Sequence, residues 1–291
     1  MTALAGGKGG AAGDAGRSRG RARELAVLVG ASGAFGAAIT RRLLGAGLDV
    51  VAVGRRAGAL DELRMRLRDE VGAAGDGGTD SPTTGHAAAG ELIACAADIG
   101  DDAAIDAIRA SLDRPVRMLV HGPGVAVAGG ILDAPTSALV DAVNLKCGGL
   151  IRLVRAADDR LARGARIVAI GGHYGFEPSA YAAAPGIANA ALVNLVRQLS
   201  LVYGGRGITA HLVAPGPADT ERLRRVATER ARQRGIALDD VLDEMRAESS
   251  TASFTTPEQV AWAVAMLLDP AADAMTGSTL MLDSGRRRGL P

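Results

Sequence analysis

Two histidines and two tyrosines lie where they could move a proton. His173 and Tyr174 directly follow the apolar run that ends at 172, Tyr181 comes shortly after them, and His121 ends another apolar run. An imidazole titrates near neutral pH and a phenol can donate a hydrogen bond, so these groups could exchange a proton with a substrate. We predict Tyr181 and His173 in that role. The residues leave one alternative open, in which the tyrosines line a pocket and His173 bonds to backbone.

A glycine-rich segment, GASGAFG at 30–36, follows the apolar run LAVLV at 25–29 and opens a stretch with helical spacing. Such a strand-to-helix turn lets backbone N–H groups approach a pyrophosphate, and the helix N-terminus favours negative charge. The segment predicts a dinucleotide site, although a tight turn alone would also account for the glycines. The predicted contacts here are Gly30, Ser32, Gly33, Phe35 and Gly36.

The residues after the second apolar run favour one dinucleotide. The run at 49–53 is followed by Gly54, Arg55 and Arg56, at the place where an acidic residue would bind the ribose 2′-hydroxyl of NAD. A guanidinium there suits a 2′-phosphate. We therefore predict NADP(H) rather than NAD(H), with Arg55 as the contact. A solvated charge pair at a strand end is the alternative.

Seven apolar runs alternate with stretches of helical periodicity. The predicted strands are 25–29, 49–53, 91–98, 116–122, 165–172, 208–216 and 278–285. The predicted helices are 35–44, 60–70, 101–112, 137–160, 187–203 and 258–268. This alternation predicts an α/β fold, with a doubly wound, seven-stranded parallel sheet covered by helices on both faces, in a single domain over 25–291. The carboxyl ends of parallel strands share one sheet edge, which would collect the groups described above.

The amino-acid composition limits the classes of molecule that this protein is expected to bind. The net charge of +1 comes from 33 basic and 32 acidic residues spread along the chain, which argues against binding to nucleic acid or an anionic membrane. Cys95 and Cys147 lack metal-ligand spacing and fit a reducing cytoplasm. We predict a cytoplasmic protein with a small-molecule substrate. We also predict a disordered, basic tail over 1–24 and a flexible insertion over 72–90.

Several motifs, in order, resemble the short-chain dehydrogenase/reductase superfamily from Leu25 to about Gly285. GASGAFG resembles its first glycine loop, with Ala34 replacing the middle glycine. The segments at 206–220 and 276–285 resemble its sixth-strand and seventh-strand signatures. The resemblance implies a Rossmann-type fold and a substrate-covering helical segment over 217–252. It also implies further cofactor contacts at Asp98, Ile99, Gly122, Pro215, Gly216 and Thr220.

The resemblance breaks at the catalytic positions. Members of this family use a tyrosine that exchanges the proton, a lysine one helical turn beyond it and a serine that orients the substrate. Aligned without gaps from the sixth-strand signature, Pro185 takes the tyrosine position and Asn189 the lysine position. The serine position falls on Gly171 or Gly172. Placing Tyr181 in the tyrosine position instead would put Pro185 at the lysine position, so the lysine and serine are missing in both alignments.

A second helix carries another position of the family. Asn144 in VNLKCG matches the family's asparagine, which by resemblance would hold a water in the proton path. Lys146 lies two positions further on, and we expect it to be a solvated or interface charge.

These observations define three hypotheses. The first is an atypical NADP(H)-dependent oxidoreductase that acts on a small biosynthetic molecule with a non-standard proton donor, with Tyr181, His173 and Asn144 as catalytic residues. The second is a cyclase, isomerase or lyase on the same scaffold. The third is a catalytically silent subunit that pairs with an active reductase. By resemblance, we expect a homodimer or homotetramer, or a hetero-oligomer with another member of the family.

Overall fold

A computed structural model describes residues 23–75, 90–127 and 129–289 of the chain. The tail predicted over 1–24 lies outside the described residues except for its last two. The insertion predicted over 72–90 also lies outside them, except for 90 and for 72–75, which belong to a helix.

One seven-stranded parallel sheet forms the centre of the fold, in the order β3-β2-β1-β4-β5-β6-β7. The strands are β1 (Leu25–Val29), β2 (Asp49–Gly54), β3 (Leu92–Ala96), β4 (Val116–His121), β5 (Leu161–Ile170), β6 (Thr209–Pro215) and β7 (Thr279–Leu282). The order reverses between β1 and β4, so the chain winds outward in both directions from the middle of the sheet. This architecture confirms the predicted doubly wound, Rossmann-type α/β fold.

Helices connect the strands. Within the described ranges they are α1 (Ala34–Gly45), α2 (Ala57–Gly75), α3 (Ala103–Ala110), α4 (Thr136–Val143), α5 (Gly149–Ala157), α6 (Ala183–Tyr203), α7 (Glu221–Arg234), α8 (Leu238–Ala247) and α9 (Pro257–Met266). None of these helices has the length and apolar character needed to cross a bilayer.

Two element boundaries differ from the predicted ones in ways that matter for the site. The helix predicted over 137–160 is divided, because α4 passes into α5 through a π-helical turn at Asn144–Gly148. Helix α6 begins at Ala183, before the predicted start at 187, and includes Pro185 in its first turn. Backbone N–H groups of a first turn have no acceptor within the helix, so the proline removes no helical hydrogen bond there.

The strands separate two main apolar layers. Leu25, Val27 and Val29 of β1 pack on one face with α3, α5 and α6. Ala26 and Leu28 pack on the other face with α1, α2 and α9. Helices α7 and α8 stand apart, because their buried side chains, Ala227, Ala231, Val241, Leu242 and Met245, form a separate small cluster.

The chain turns tightly where β1 and β4 end. Gly30 adopts a φ of +85°, and a Cβ there would lie 3.2 Å from the carbonyl carbon of Gly122. At Gly36 a Cβ would lie 2.7 Å from the Cα of Ala31 and closer still to the carbonyl oxygen of Gly30. Both positions therefore require glycine, one for its conformation and one for its lack of a side chain.

We expect Gly36→Ala to destabilise the fold by about 1–3 kcal/mol, because the added methyl meets backbone that cannot move aside cheaply. Gly45→Ala is the matched control on the same helix, since a Cβ there meets nothing within 4 Å. It should stabilise the protein by about 0.5–1 kcal/mol through helix propensity. Urea denaturation followed by circular dichroism measures both, and equal effects from the two substitutions would contradict the steric argument.

Candidate active site

The turn between β1 and α1 presents backbone N–H groups at the carboxyl edge of the sheet. Gly30 N donates to Val53 O over 3.0 Å, and Gly33 N donates to Gly30 O over 3.1 Å, which fixes the turn. The first hydrogen bond of α1 runs from Ala37 N to Gly33 O, so the N–H groups of the helix's first residues have no helical acceptor. Ser32 and Gly33 are exposed and Phe35 is half-buried. The turn therefore fits an anion such as a pyrophosphate.

The predicted ribose and adenine contacts lie on the β2 and β3 side of this turn. Ala97 N donates to Gly54 O over 3.1 Å and joins the segments that leave the two strands. Arg55 and Asp98 are exposed beside this junction, and Asp98 Oδ1 accepts from Gly100 N at 3.0 Å. Ile99 differs from them, because its side chain is 4% exposed and packs in the core.

The other predicted cofactor residues lie where β4 and β6 end. Gly122 N donates to Val29 O over 3.0 Å, and Gly216 N donates to Leu282 O over 2.9 Å. Pro215 is buried at the end of β6. Thr220 caps α7, since its Oγ1 accepts from Leu223 N at 3.4 Å. The fold thus brings all the predicted cofactor positions to the carboxyl edge of one sheet.

The segment that leaves β5 packs directly against α6. A Cβ at Gly172 would lie 3.0 Å from Asn189 Nδ2, and one at Gly175 would lie 2.9 Å from the Asn189 Cβ. Asn189 is 6% exposed, and its Oδ1 has no hydrogen-bond partner among the described residues. Pro185 lies one turn earlier on the same helix and is buried as well. Positions 185 and 189 therefore share the buried face of α6.

His173, Tyr174 and Tyr181 form one cluster beyond these glycines. The rings of His173 and Tyr174 have centroids 4.1 Å apart, and the hydroxyls of Tyr174 and Tyr181 are hydrogen-bonded to each other. Tyr181 is half-exposed, with the guanidinium of Arg230 5.2 Å from its ring centroid. The structure thus brings together the two residues predicted to move a proton and adds a cation beside them.

The groups of this cluster have different proton affinities. Burial is the main cause that lowers the pKa of His173 to about 4, so this imidazole is neutral at pH 7. Burial, together with the hydrogen bond to Tyr181, raises the pKa of Tyr174. Burial also raises the pKa of Tyr181, but hydrogen bonds from Tyr174 and Arg230 outweigh it, so the net pKa is below its usual value. Tyr181 is therefore the more acidic phenol of the pair.

Asn144 forms hydrogen bonds with Gly100 and Arg152 and none with the tyrosine cluster among the described residues. Its Nδ2 donates to Gly100 O over 2.9 Å, and its Oδ1 accepts from Arg152 Nη1 at 2.9 Å. These bonds tie the π-helical turn to the segment after β3. The catalytic role predicted for Asn144 stays a prediction.

Lys146 is buried, and the expectation of a solvated or interface charge was wrong. It is 5% exposed, and its Nζ donates to Ile170 O over 2.7 Å at the end of β5. The helical pattern placed Lys146 across the helix from Asn144, but the π-helical turn changes which side chains face the sheet. Burial, and secondarily the charge of Arg222, lower the pKa of Lys146 to about 8.

His121, at the end of β4, is fully buried. Its Nε2 hydrogen-bonds to Leu145 O over 3.0 Å. Burial, and secondarily the charge of Lys146, lower the pKa of His121 to about 3. This histidine therefore stays neutral over the physiological range.

The buried ammonium generates a pH prediction. The pKa of Lys146 is about 8 in the fold against 10.5 for the free group, so between these values the unfolded chain holds a proton that the folded chain has lost. The contribution of Lys146 to the free energy of unfolding should therefore become more favourable as the pH rises through this window. We expect Lys146→Met to be more stable at pH 7, on the order of 3 kcal/mol, and the excess to shrink by pH 10. Urea denaturation at several pH values measures this, and an excess that does not change with pH would contradict it.

Sequence reasoning missed Arg222 and Arg230. Arg222 Nη2 donates to Val125 O over 2.7 Å, and Arg230 lies over Tyr181. The sequence did contain a signal for them, because Arg222 and Arg230 are eight residues apart in a charge-rich stretch with helical periodicity. This spacing places both side chains on one face of the helix. The resemblance implied only a cover for the substrate over this stretch and no role for either arginine.

Comparison with known proteins agrees with the fold and the glycine turn. A sequence model of a family described as enoyl-(acyl carrier protein) reductase matches residues 30–287. The chain is 28% identical to D-beta-hydroxybutyrate dehydrogenase of Rhizobium meliloti over 90% of this chain and 98% of that protein. It is 32% identical to inactive 2-(S)-hydroxypropyl-CoM dehydrogenase 2 of Xanthobacter autotrophicus over 68% of this chain and 88% of that one.

A solved structure has the same fold. It is an NADPH-bound short-chain oxidoreductase from Pseudomonas aeruginosa that contains an atypical catalytic center. Its TM-score is 0.77 at 22% identity, over 92% of this chain and 98% of that one. The present chain belongs to the short-chain dehydrogenase/reductase superfamily. The relatives that it matches include a dehydrogenase and a putative ketoacyl reductase, both of the oxidoreductase class.

Proposed function

We propose that this protein is an NADP(H)-dependent oxidoreductase that acts on a small biosynthetic molecule and uses Tyr181 as a non-standard proton donor. The observation that carries the proposal is the hydroxyl of Tyr181, bonded to that of Tyr174 and close to Arg230 beside the carboxyl edge of the sheet. A phenol with a lowered pKa gives up its proton more readily to a substrate oxygen. Tyr174 would then stabilise the phenolate by donating its own hydrogen bond.

The chain's own residues fit the proposed cofactor. The open N–H groups before Ala37 suit the pyrophosphate, and the exposed guanidinium of Arg55 suits a 2′-phosphate. Among the described residues, neither Arg55 nor Arg56 forms an ion pair with a carboxylate, so both charges remain available. When bound, the reduced dinucleotide supplies a hydride.

The site is proposed to be atypical for the superfamily because, in the alignment without gaps, Pro185 and Asn189 take the positions of its tyrosine and lysine, and in the alternative alignment Pro185 takes that of the lysine. Both side chains lie on the buried face of α6, next to the segment that leaves β5. A serine side chain at Gly172 would crowd the Asn189 amide, since even a Cβ would lie 3.0 Å from Nδ2. Gly172 and Asn189 are therefore matched to each other. Tyr181, which precedes α6, is the tyrosine nearest in sequence to Pro185.

A catalytically silent binding protein is the second candidate. One relative, at 32% identity, is described as an inactive dehydrogenase. In this alternative the Tyr174–Tyr181 pair would line a pocket and transfer no proton. A cyclase, isomerase or lyase has no comparable observation in its favour.

Cofactor binding is the first test. We expect NADPH to bind more tightly than NADH. The Arg55→Ala substitution should lower the affinity for NADPH by about tenfold, because one charge-assisted contact is lost, and should leave the affinity for NADH nearly unchanged. Arg66→Ala, at an exposed position on α2, is the control. Fluorescence titration measures each affinity. Absence of NADPH binding to the natural protein would exclude the redox function.

Proton donation is the second test. Once a carbonyl panel with NADPH has given a turnover, Tyr181→Phe should lower kcat by about a hundredfold or more, as loss of a general acid does. Tyr203→Phe is the matched control, because that phenol bonds to Asp158 at the far end of α6. Equal rates for the two variants would remove Tyr181 from the mechanism. NADPH binding without turnover on any carbonyl would favour the silent candidate.

A further inference from the structure

Helix α7 is rich in arginine, and its arginines fall into two groups by their partners. Arg224, Arg232 and Arg234 form ion pairs with Asp219, Glu229 and Glu244. These pairs are exposed, so each charge is balanced on the outer side of the helix. Arg222, Arg225 and Arg230 have no carboxylate within ion-pair distance in the described part of the chain.

Two of these three arginines, Arg222 and Arg230, share one face of the helix, whereas Arg225 lies off that face. Arg222, Val226 and Arg230 are spaced four residues apart, which aligns them in a stripe about 12 Å long. Both ends of this stripe contact segments at the carboxyl edge of the sheet. Arg222 donates to Val125 O beyond β4, and Arg230 lies over the Tyr181 ring. Val226, between them, is 42% exposed and leaves an apolar surface.

Two further cations, Lys146 and Arg286, lie near the edge of the sheet that this stripe contacts. The charge of Arg222 lowers the pKa of buried Lys146, so the two cations are close enough to repel each other. Burial, and secondarily the charge of Arg286, lower the pKa of His173, while Asp283 and Glu177 act in the opposite direction. Arg286 is balanced by Glu248, but no carboxylate of the described residues pairs with Lys146, Arg222 or Arg230. An anion bound among these groups would relieve their repulsion.

We propose that the substrate is an anion with carboxylate or phosphate groups, bound by Arg222 and Arg230 at the two ends of this stripe, with its apolar part against Val226 between them. The proposal deepens the function above and rests on it. A guanidinium offers a planar pair of donors that matches a carboxylate or phosphate. An anion held by Arg230 lies beside the Tyr181 hydroxyl, so the arrangement would present a nearby substrate oxygen to the proposed proton donor.

The test uses probes that do not need to react. Adipate has a carboxylate at each end of an apolar chain, adipamide is its neutral analogue, and phosphate is an anion without the chain. Binding of each to the full-length protein is measured by calorimetry at constant ionic strength. Arg222→Gln and Arg230→Gln remove the proposed contacts. Arg224→Gln and Arg232→Gln are matched controls on the outer side of the same helix.

We expect adipate to bind at least about tenfold more tightly than adipamide. The Arg222→Gln and Arg230→Gln variants should each bind adipate about tenfold more weakly than the natural protein, while the affinity of the two control variants should change less than about twofold. Phosphate binding with the same dependence on Arg222 and Arg230, without adipate binding, would support a phosphate-bearing substrate. Equal binding of adipate and adipamide, with no phosphate binding, would overturn the proposal. So would equal losses in all four variants.

NADPH titration of the same variants separates this inference from the proposed function. We expect Arg222→Gln and Arg230→Gln to leave NADPH affinity unchanged. A loss of NADPH affinity as large as the loss of adipate affinity would assign the stripe to the cofactor and overturn the anionic substrate. Adipate binding in a protein that does not bind NADPH would instead leave the anion site standing and remove the redox function.

Discussion

Close contact between α6 and the segment that leaves β5 determines the shape of the candidate site. Gly172 and Gly175 have no side chains, so the Asn189 side chain packs directly against their backbone. Any larger residue at Gly175 would push α6 away, because the contacts there involve the Asn189 backbone and Cβ. This packing sets where His173 and Tyr174 leave the sheet. It also fixes the start of α6, and with it Tyr181.

Unbalanced positive charge is the second property of this edge. Lys146 is one of two lysines in the full sequence, against 33 basic residues in total, and it is buried at the end of β5. Burial of an ammonium without a carboxylate is costly, and the lowered pKa expresses that cost. Arg222 and Arg230 add charge from α7. A site that concentrates cations in this way would favour the negatively charged ligand proposed above.

The sequence predicted the sheet well because buried parallel strands are nearly continuous apolar runs, and each of the seven predicted runs overlaps one strand of the sheet. The glycine turn was also predictable, because its signal is a short run of glycines between neighbouring elements of the chain. The π-helical turn at Asn144–Gly148 was not, since one extra residue in a turn leaves no trace in the composition. The burial of Lys146 depends on that turn and was missed with it. Contacts of Arg222 and Arg230 join residues far apart in the chain, so periodicity alone gave only their shared face.

The separate apolar cluster of α7 and α8 has a consequence for ligand exchange. Because Ala227, Val241 and Met245 pack with each other and not with the two layers on the sheet, the helix pair keeps its own small core. Displacing the pair from the sheet leaves both main layers intact, so local opening of this unit costs less free energy than global unfolding. Movement of this helix pair would then expose the edge of the sheet without unfolding the domain.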